Sequence, residues 1–220
     1  MIICVTGTNT DVGKTVATAA LAAEWRRRGQ EVVVAKPVQT GEPDGHGDAA
    51  SVHRLTGIDT REMVRFPEPL APNLAARRAG LNQVQRAEVV EWIRALDKPG
   101  RVVLVEGAGG VLVRLGEGVT LLDIAEDLQA SAYVVCSLEL GSLNAAELTV
   151  GAIRRRGIEV RGIIGGLLPQ EPDLAVRLNV EEMPVVTGAT LLGCLPASAG
   201  QLSAPDFADM AQRVFGAAEL

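Results

Sequence analysis

The chain of 220 residues has few aromatic side chains, little basic charge and no long apolar run. Aromatic residues make up only 3% of it, and 21 Lys and Arg face 27 Asp and Glu, so the formal net charge is -6. Nucleic-acid binding needs a basic face and often stacking aromatics, so both deficits argue against a nucleic-acid partner. No apolar stretch approaches the roughly 20 residues that cross a bilayer, and the N-terminus lacks the basic start of a signal peptide. We therefore expect a cytoplasmic protein with neither a nucleic-acid nor a membrane partner.

Cysteine is also scarce. The three cysteines, Cys4, Cys136 and Cys194, are an odd number and none has metal-ligand spacing. The first two lie in apolar runs, so we predict buried thiols in a reducing compartment rather than disulfides.

What the sequence does contain is 47% hydrophobic residues, gathered into short Val, Ile and Leu runs that alternate with helix-like segments. This alternation predicts an α/β fold in a single domain over residues 1–220, with a mostly parallel central sheet and helices on both faces. Strands are predicted at residues 2–6, 31–36, 101–106, 132–137, 160–165 and 191–195. Helices are predicted at residues 14–28, 48–55, 83–96, 122–129, 143–156 and 205–215. Residues 40–47 are predicted to be an active-site loop or a mobile connection, and residues 66–72 an ordered surface loop.

The segment Gly-Thr-Asn-Thr-Asp-Val-Gly-Lys-Thr, residues 7–15, follows the first predicted strand and opens the first predicted helix. That context is required of a phosphate-binding loop, whose backbone N–H groups and helix dipole surround phosphate. Lys14 is predicted to reach the β- and γ-phosphates, and the hydroxyl of Thr15 to ligate Mg²⁺. Five residues separate Gly7 from Gly13, one more than in the common form of this loop.

Polar side chains also stand where other predicted strands end. Lys36 is placed at the end of the second strand and is a candidate second cation at a transferring phosphoryl group. Thr40, four residues later, offers a hydroxyl near the same predicted site. Glu106 closes a buried run and resembles a magnesium ligand of the Walker B type, and the glycines after it would let backbone amides approach a substrate. Asp48, taken alone, is predicted to be a helix N-cap.

Taken in order, these segments resemble the dethiobiotin synthetases, the ligases of the biotin pathway. The resemblance is carried by Asp48 and by residues 5–15, 36–41, 105–110 and 140–144, which span about the first two-thirds of the chain. It implies a P-loop NTPase fold and a cyclo-ligase (dethiobiotin synthase) that converts 7,8-diaminononanoate, CO2 and ATP into dethiobiotin, ADP and phosphate. One amine captures CO2 as a carbamate, a carbamate oxygen attacks the γ-phosphate, and the second amine closes the ureido ring on the resulting anhydride.

The resemblance also implies Mg²⁺, a homodimer and a set of site residues. It assigns Thr15, Asp48 and Glu106 to the metal, and Lys36, Lys14 and Thr10 to catalysis. It assigns to the nucleotide Asn9, Thr10, Asp11, Val12, Gly13, Lys14, Thr15, Val16, Glu106, Gly166 and Pro196. It assigns to the diamine substrate Asp11, Lys36, Thr40, Gly109 and Gly110, together with Ser142, Leu143 and Asn144 lent by a partner subunit.

One position departs from the family's pattern. Gly166 lies where some members carry an asparagine that reads the adenine edge. Because glycine has no side-chain donor or acceptor, we predict weak discrimination among bases, with CTP or GTP accepted beside ATP.

Two other functions share this type of loop. An amidotransferase-type synthetase domain normally carries an attached glutaminase, for which 220 residues leave no room. A Walker-type partitioning ATPase usually has a lysine directly after the first glycine, where this chain has Thr8. Its membrane-binding members have a basic amphipathic C-terminal helix, whereas residues 206–220 carry three acidic side chains against only Arg213. The ligase is the favoured interpretation, with these two as the alternatives.

Overall fold

The structure, a computed structural model, describes all 220 residues. Seven strands form one sheet in the order β3-β2-β4-β1-β5-β6-β7, and every pairing is parallel. The strands are β1 (Ile2–Gly7), β2 (Glu31–Thr40), β3 (Asp59–Phe66), β4 (Arg101–Gly110), β5 (Ser131–Cys136), β6 (Val160–Leu168) and β7 (Leu191–Pro196). All seven carboxyl ends therefore lie along the same edge of the sheet.

Eight helices cover the sheet. They are α1 (Lys14–Arg27), α2 (Asp48–Thr56), α3 (Pro72–Ala79), α4 (Arg86–Arg94), α5 (Leu121–Leu128), α6 (Ser142–Arg155), α7 (Leu174–Thr187) and α8 (Ala204–Phe215). Helices α1, α2 and α8 pack on one face and the other five on the opposite face, which gives two hydrophobic cores separated by the sheet. The predicted α/β fold, with a parallel sheet and helices on both faces, is confirmed.

The central strands are buried because both of their faces are covered. Strand β1 carries the run Ile3, Cys4 and Val5, and each of these side chains is at most 1% exposed. Alternate side chains enter opposite cores: Cys4 belongs to one cluster, Ile3 and Val5 to the other. A strand with two apolar faces needs a continuous apolar run, which is why these strands could be recognised in the sequence.

Three elements were not predicted. Strand β3 reads Asp-Thr-Arg-Glu-Met-Val-Arg-Phe and is one of the two edge strands, so most of it is only partly buried and it has no continuous apolar run. Helix α7 contains an internal proline, Pro184, which interrupts a helical pattern, and helix α3 has only eight residues, too few to show a clear period. The surface loop predicted at residues 66–72 is wrong at both ends, because Phe66 closes β3 and Pro72 opens α3.

The predicted ends of β2 and β4 are also wrong. Lys36 does not end β2, which continues to Thr40, and Glu106 does not end β4, which continues to Gly110. The hydrogen-bonded ladder between these two strands nevertheless stops at the pair Ala35 and Val105. Lys36 and Glu106 are therefore the first residues beyond the point where the two strands separate, and the gap gives both side chains room to converge.

Two smaller predictions can be compared with the structure. Cys4 and Cys136 are buried as expected, whereas Cys194 is only partly buried, and all three are free thiols. None of the eight helices has the length and apolar character needed to cross a membrane.

Candidate active site

Residues 7–15 form a tight loop between β1 and α1. Two residues in it, Asp11 (φ 58°) and Gly13 (φ 90°), adopt left-handed backbone conformations. Turns that contain such residues point successive N–H groups toward one side and create an anion-binding concavity. The helix that starts at Lys14 adds the positive end of its dipole at the same place. The loop geometry thus suits a polyphosphate.

Lys14 lies folded over this loop. Its side chain is largely buried, and Nζ donates a hydrogen bond to the carbonyl oxygen of Asn9 at 2.8 Å. Burial lowers the pKa of Lys14, although the nearby carboxylate of Glu106 opposes that shift. The ammonium is held where phosphate oxygens would enter the loop.

Thr15, Asp48 and Glu106 bring three oxygen groups together from three different elements. The Thr15 hydroxyl donates to Asp48 Oδ1 at 2.8 Å and also lies 3.0 Å from Glu106 Oε1. Glu106 is 1% exposed, its Oε2 has no hydrogen-bond partner, and burial raises the pKa of this carboxyl. Asp48 is the first residue of α2, with Gly47 at the cap position, so the predicted N-cap role is wrong.

This oxygen set fits a divalent cation. A buried carboxylate oxygen without a partner is costly, and a hard cation that prefers oxygen ligands would satisfy it. Two carboxylates and one hydroxyl suit Mg²⁺, which keeps several of its own waters and shares the rest of its shell with phosphates.

Lys36, on strand β2, forms ion pairs with both carboxylates. Its Nζ forms an ion pair with Asp48, lies 3.1 Å from Glu106 Oε1 and donates to the Gly107 carbonyl oxygen at 2.9 Å. Burial by itself would lower the pKa of Lys36, but the carboxylates of Glu106 and Asp48 outweigh it, so the net pKa is raised. The side chain is therefore a fixed cation at the edge of the phosphate loop.

A cleft of about 800 Å³ opens above these groups. Ten of the residues that line it were predicted as site residues: Thr10, Asp11, Gly13, Lys14, Thr15, Val16, Lys36, Thr40, Asp48 and Gly109. Glu106 lies directly beneath, in contact with Thr15 and Lys36. A second cleft of about 630 Å³, around Met1, Asp97 and Arg156, lies at the amino ends of the strands and holds none of the motif residues.

Eight apolar residues that line the cleft were missed by sequence reasoning. Together they are called the apolar wall: Val38, Pro69, Leu70, Ala71, Pro72, Ala108, Val113 and Leu167. Residues 69–71 belong to the connection between β3 and α3, and Pro72 opens α3; the sequence predicts only a surface loop here. Its position after a strand was the available signal, but β3 itself had not been recognised.

The remaining predicted site residues do not line the cleft. Asn9 is exposed and Val12 is buried within the loop. Gly110 pairs with Gly7 beside the loop, and Pro196 is exposed at the end of β7. Ser142, Leu143 and Asn144 form the first turn of α6, where Ser142 is buried with its Oγ unpartnered and Asn144 is exposed. A single chain does not bring this turn to its own cleft.

Gly166 lies in contact with the phosphate loop. A Cβ atom placed on it would lie 1.8 Å from the carbonyl oxygen of Val12. This backbone therefore admits no side chain at position 166, so a base-reading asparagine is excluded by the packing of β6 against the loop. The next residue, Leu167, has a left-handed φ of 55° and projects toward Gly13.

Comparisons with known proteins agree on a family. A family model described as an AAA domain matches residues 2–205. The chain is similar to the ATP-dependent dethiobiotin synthetase BioD of Corynebacterium diphtheriae, with 56% identity over 211 residues that cover 96% of this chain and 95% of the relative. It is similar to the enzyme of the same name in Rhodococcus jostii, with 52% identity over 217 residues that cover 97% and 94%.

Solved structures show the same fold at low identity. The cell division ATPase MinD of Pyrococcus furiosus aligns with a TM-score of 0.58 and 18% identity, covering 97% of both chains. The septum site-determining protein MinD of Pyrococcus horikoshii, complexed with Mg-ADP, aligns with a TM-score of 0.59 and 16% identity, covering 97% of this chain and 95% of that one. These likenesses concern the fold alone, and they agree with the predicted P-loop NTPase architecture.

Proposed function

The chain belongs to the ATP-dependent dethiobiotin synthetase family, and on that premise we propose that it closes the ureido ring of dethiobiotin in the cleft above residues 7–15. The substrates are 7,8-diaminononanoate, CO2 and ATP, and the products are dethiobiotin, ADP and phosphate. The observation that carries the proposal is the meeting of Lys14, Lys36, Asp48 and Glu106 at one edge of the cleft. A reaction that joins two anions needs cations there.

The reaction brings a carbamate to the γ-phosphate of ATP. One amine of the diamine attacks CO2 and loses a proton, which gives the carbamate. A carbamate oxygen then attacks the γ-phosphorus, the bond to ADP breaks, and a carbamic-phosphoric anhydride forms. The second amine attacks the anhydride carbonyl and expels phosphate, which completes the ring. Both partners of the phosphoryl transfer carry negative charge, so fixed positive charge lowers the barrier.

The two lysines of the cleft supply that charge. Lys14 holds the phosphates within the loop, and Thr10 contributes a hydroxyl at the cleft wall. Lys36, fixed by Asp48 and Glu106, faces the carbamate and the transferring phosphoryl group. Because these groups are already in place, little reorganisation is needed when charge develops.

Thr15, Asp48 and Glu106 would hold Mg²⁺. Magnesium supplies neutralisation of the phosphate oxygens when it is bound. The unpartnered Oε2 of Glu106 and the short contacts among the three oxygen groups support this assignment.

The diamine is proposed to lie between the lysines and the apolar wall. Asp11 and Thr40 of the cleft lining would offer polar groups to the amines, and Gly109 would let the backbone approach them closely, with Gly110 next to it in the chain. The apolar wall suits the methylene chain of the diamine. Ser142, Leu143 and Asn144 are proposed to reach the site of the partner subunit in a homodimer, where they would bind the substrate carboxylate.

The enzyme is proposed to discriminate only weakly among nucleotide bases. Position 166 carries no side chain, so ATP would share the site with CTP or GTP. A steady-state comparison of kcat/KM for the three nucleotides tests this, and a preference for ATP of more than about a hundredfold would contradict it. The free and largely buried cysteines support a reducing compartment, and we place the enzyme in the cytoplasm on that basis.

The direct test is an incubation of the purified protein with 7,8-diaminononanoate, bicarbonate, Mg²⁺ and ATP. The expected product is dethiobiotin, detected by mass, with one phosphate released per ring formed. A reaction without the diamine is the control for uncoupled hydrolysis. A rate of phosphate release that is the same with and without the diamine would favour a nucleotide switch over a ligase.

A further inference from the structure

The carbonyl groups of the connection between β2 and α2, residues 41–47, accept three hydrogen bonds from Arg65, a side chain of the edge strand β3. Arg65 donates through Nη1 to the carbonyl oxygens of Glu42 (2.8 Å) and Pro43 (2.7 Å). Through Nη2 it donates to the carbonyl oxygen of His46 at 2.9 Å. Three of the seven residues in this connection are glycine. A segment of that composition has many backbone states, so the three bonds select one of them.

The guanidinium of Arg65 is itself fixed. Its Nε and Nη2 donate to the two carboxylate oxygens of Glu62 at 2.8 and 2.6 Å. Nε also lies 3.7 Å from the exposed carboxylate of Asp44. An arginine has five N–H groups, and here all five have an acceptor. The side chains of Arg65 and Glu62 are only 20% and 21% exposed, so the arrangement is partly shielded from water.

Gln39 holds the far end of the same connection. It is the register partner of Arg65 on the neighbouring strand β2 and is itself buried. Its Oε1 accepts the backbone N–H of Asp48 at 2.9 Å. Two adjacent side chains of the sheet therefore fix the carbonyl groups of the connection and the first amide of α2. The side-chain carboxylate of the same residue, Asp48, contacts Thr15 and Lys36.

We infer that Arg65 is a positioning residue that places the Asp48 carboxylate for metal binding through the backbone of residues 42–47. This inference rests on the magnesium site under the proposed function. Without Arg65 the connection would have to be ordered when the metal binds, so metal affinity would fall while the phosphate loop stayed intact. Groups that orient a metal ligand typically account for about 10–100-fold in metal affinity.

The test compares Arg65→Gln with Arg61→Gln. Arg61 lies four residues earlier on β3 and pairs with Asp59 at the surface, where both side chains are more than half exposed, so it is a matched control. One measurement is the Kd of a non-hydrolysable ATP analogue, with Mg²⁺ and with EDTA. The other is hydrogen exchange at the amides of His46 and Asp48 in protein free of metal and nucleotide.

For Arg65→Gln we expect the gain in affinity that Mg²⁺ provides to fall by about tenfold or more, with the Kd in EDTA unchanged. We also expect faster exchange at both amides. Arg65→Lys should behave like Arg65→Gln, because one ammonium cannot serve three carbonyl oxygens and a carboxylate in that geometry. Arg61→Gln should match the wild type in both measurements.

The inference would be overturned if Mg²⁺ increased the nucleotide affinity of Arg65→Gln as much as that of the wild type. An equal loss of affinity with and without Mg²⁺ would also overturn it, because such a loss indicates general damage. If Arg65→Gln does not fold, Glu62→Gln keeps the guanidinium but loses the carboxylate that orients it, and it must show the same selective loss. Wild-type behaviour of Glu62→Gln would then overturn the inference. Neither measurement depends on turnover, so a failure of the ligase assay and a failure of this inference can be told apart.

Discussion

The Nζ atom of Lys36 lies 3.1 Å from Oε1 of Glu106 in the interior of the protein, where β2 and β4 separate. Both side chains are almost fully buried, so their charges are stabilised mainly by each other and by Asp48. Strand separation creates the space, and the paired charges occupy it. The chemistry proposed for the cleft depends on this arrangement.

Replacing Lys36 by alanine should abolish most turnover without abolishing nucleotide binding. The substitution leaves the proposed phosphate loop, residues 7–15, unchanged, but it removes the cation proposed to face the transferring phosphoryl group. Removal of one such group typically lowers kcat about 10²–10³-fold, and steady-state kinetics with the diamine would measure it. Lys98→Ala, at an exposed position, is the control. A kcat within about twofold of the wild type would remove Lys36 from the mechanism.

The same substitution should destabilise the metal-free protein. Loss of one partner leaves buried carboxylate charge uncompensated, which commonly costs about 3–5 kcal/mol. Urea unfolding of Lys36→Ala would measure that loss in EDTA, and Mg²⁺ with nucleotide should recover part of it. Equal destabilisation in both conditions would argue against a cation site at Asp48 and Glu106.

Adding a methyl group at Gly166 should weaken binding of every nucleotide alike. The new Cβ would press on the carbonyl oxygen of Val12 and displace the phosphate loop. We expect a loss of about 1–3 kcal/mol in the free energy of unfolding, together with a higher Kd for ATP, CTP and GTP. Gly151→Ala in α6 is the control, since its nearest neighbour is the end of Arg155 at 3.4 Å. Selective loss of one nucleotide would instead indicate direct contact with the base.

Acid should remove the contribution of Glu24, which lies in the last turn of α1. Hydrogen bonds from Arg27, and then Arg28, hold the pKa of Glu24 below its ordinary value of 4.5. A carboxyl group whose folded-state pKa is depressed stabilises the protein above its unfolded pKa, and this contribution disappears as pH falls through the folded pKa.

Glu24→Gln should therefore unfold at lower urea than the wild type at pH 7, with the difference closing below pH 4.5. Glu117→Gln, at an exposed position, is the control variant. A gap that persists unchanged in acid would mean that the effect is packing rather than charge.

The proposed homodimer with shared sites predicts complementation between two inactive variants. Lys36→Ala damages the cleft of its own chain, and Asn144→Ala damages the residue lent to the partner. Refolded together at equal amounts, half of the dimers should be mixed and each mixed dimer should hold one intact site, which restores about a quarter of wild-type activity. Sedimentation analysis would check the dimer itself. No recovery in a verified mixed dimer would place Asn144 outside the partner's site.

Much of the site could be predicted because its residues are adjacent in the chain. Lys14 and Thr15 follow their glycine directly, and Glu106 follows a buried strand, so local patterns specify them. The apolar wall was missed because Leu70 and Val113 come from connections that carry no pattern of their own. Strand β3 was missed because an edge strand has no continuous apolar run. Arg65 lies on that strand and was missed with it, since its partners lie up to 23 residues away in the chain.

The sequence by itself determined six of the seven strands, six of the eight helices, the phosphate loop and the identity of the charged groups around it, because each depends on neighbouring residues. Only the tertiary structure decided where the groups meet. It placed Lys36 against Glu106 by separating β2 from β4 beyond Ala35 and Val105. It also excluded a side chain at Gly166 by packing β6 against the loop. These outcomes depend on distances between segments far apart in the chain, which residue patterns do not contain.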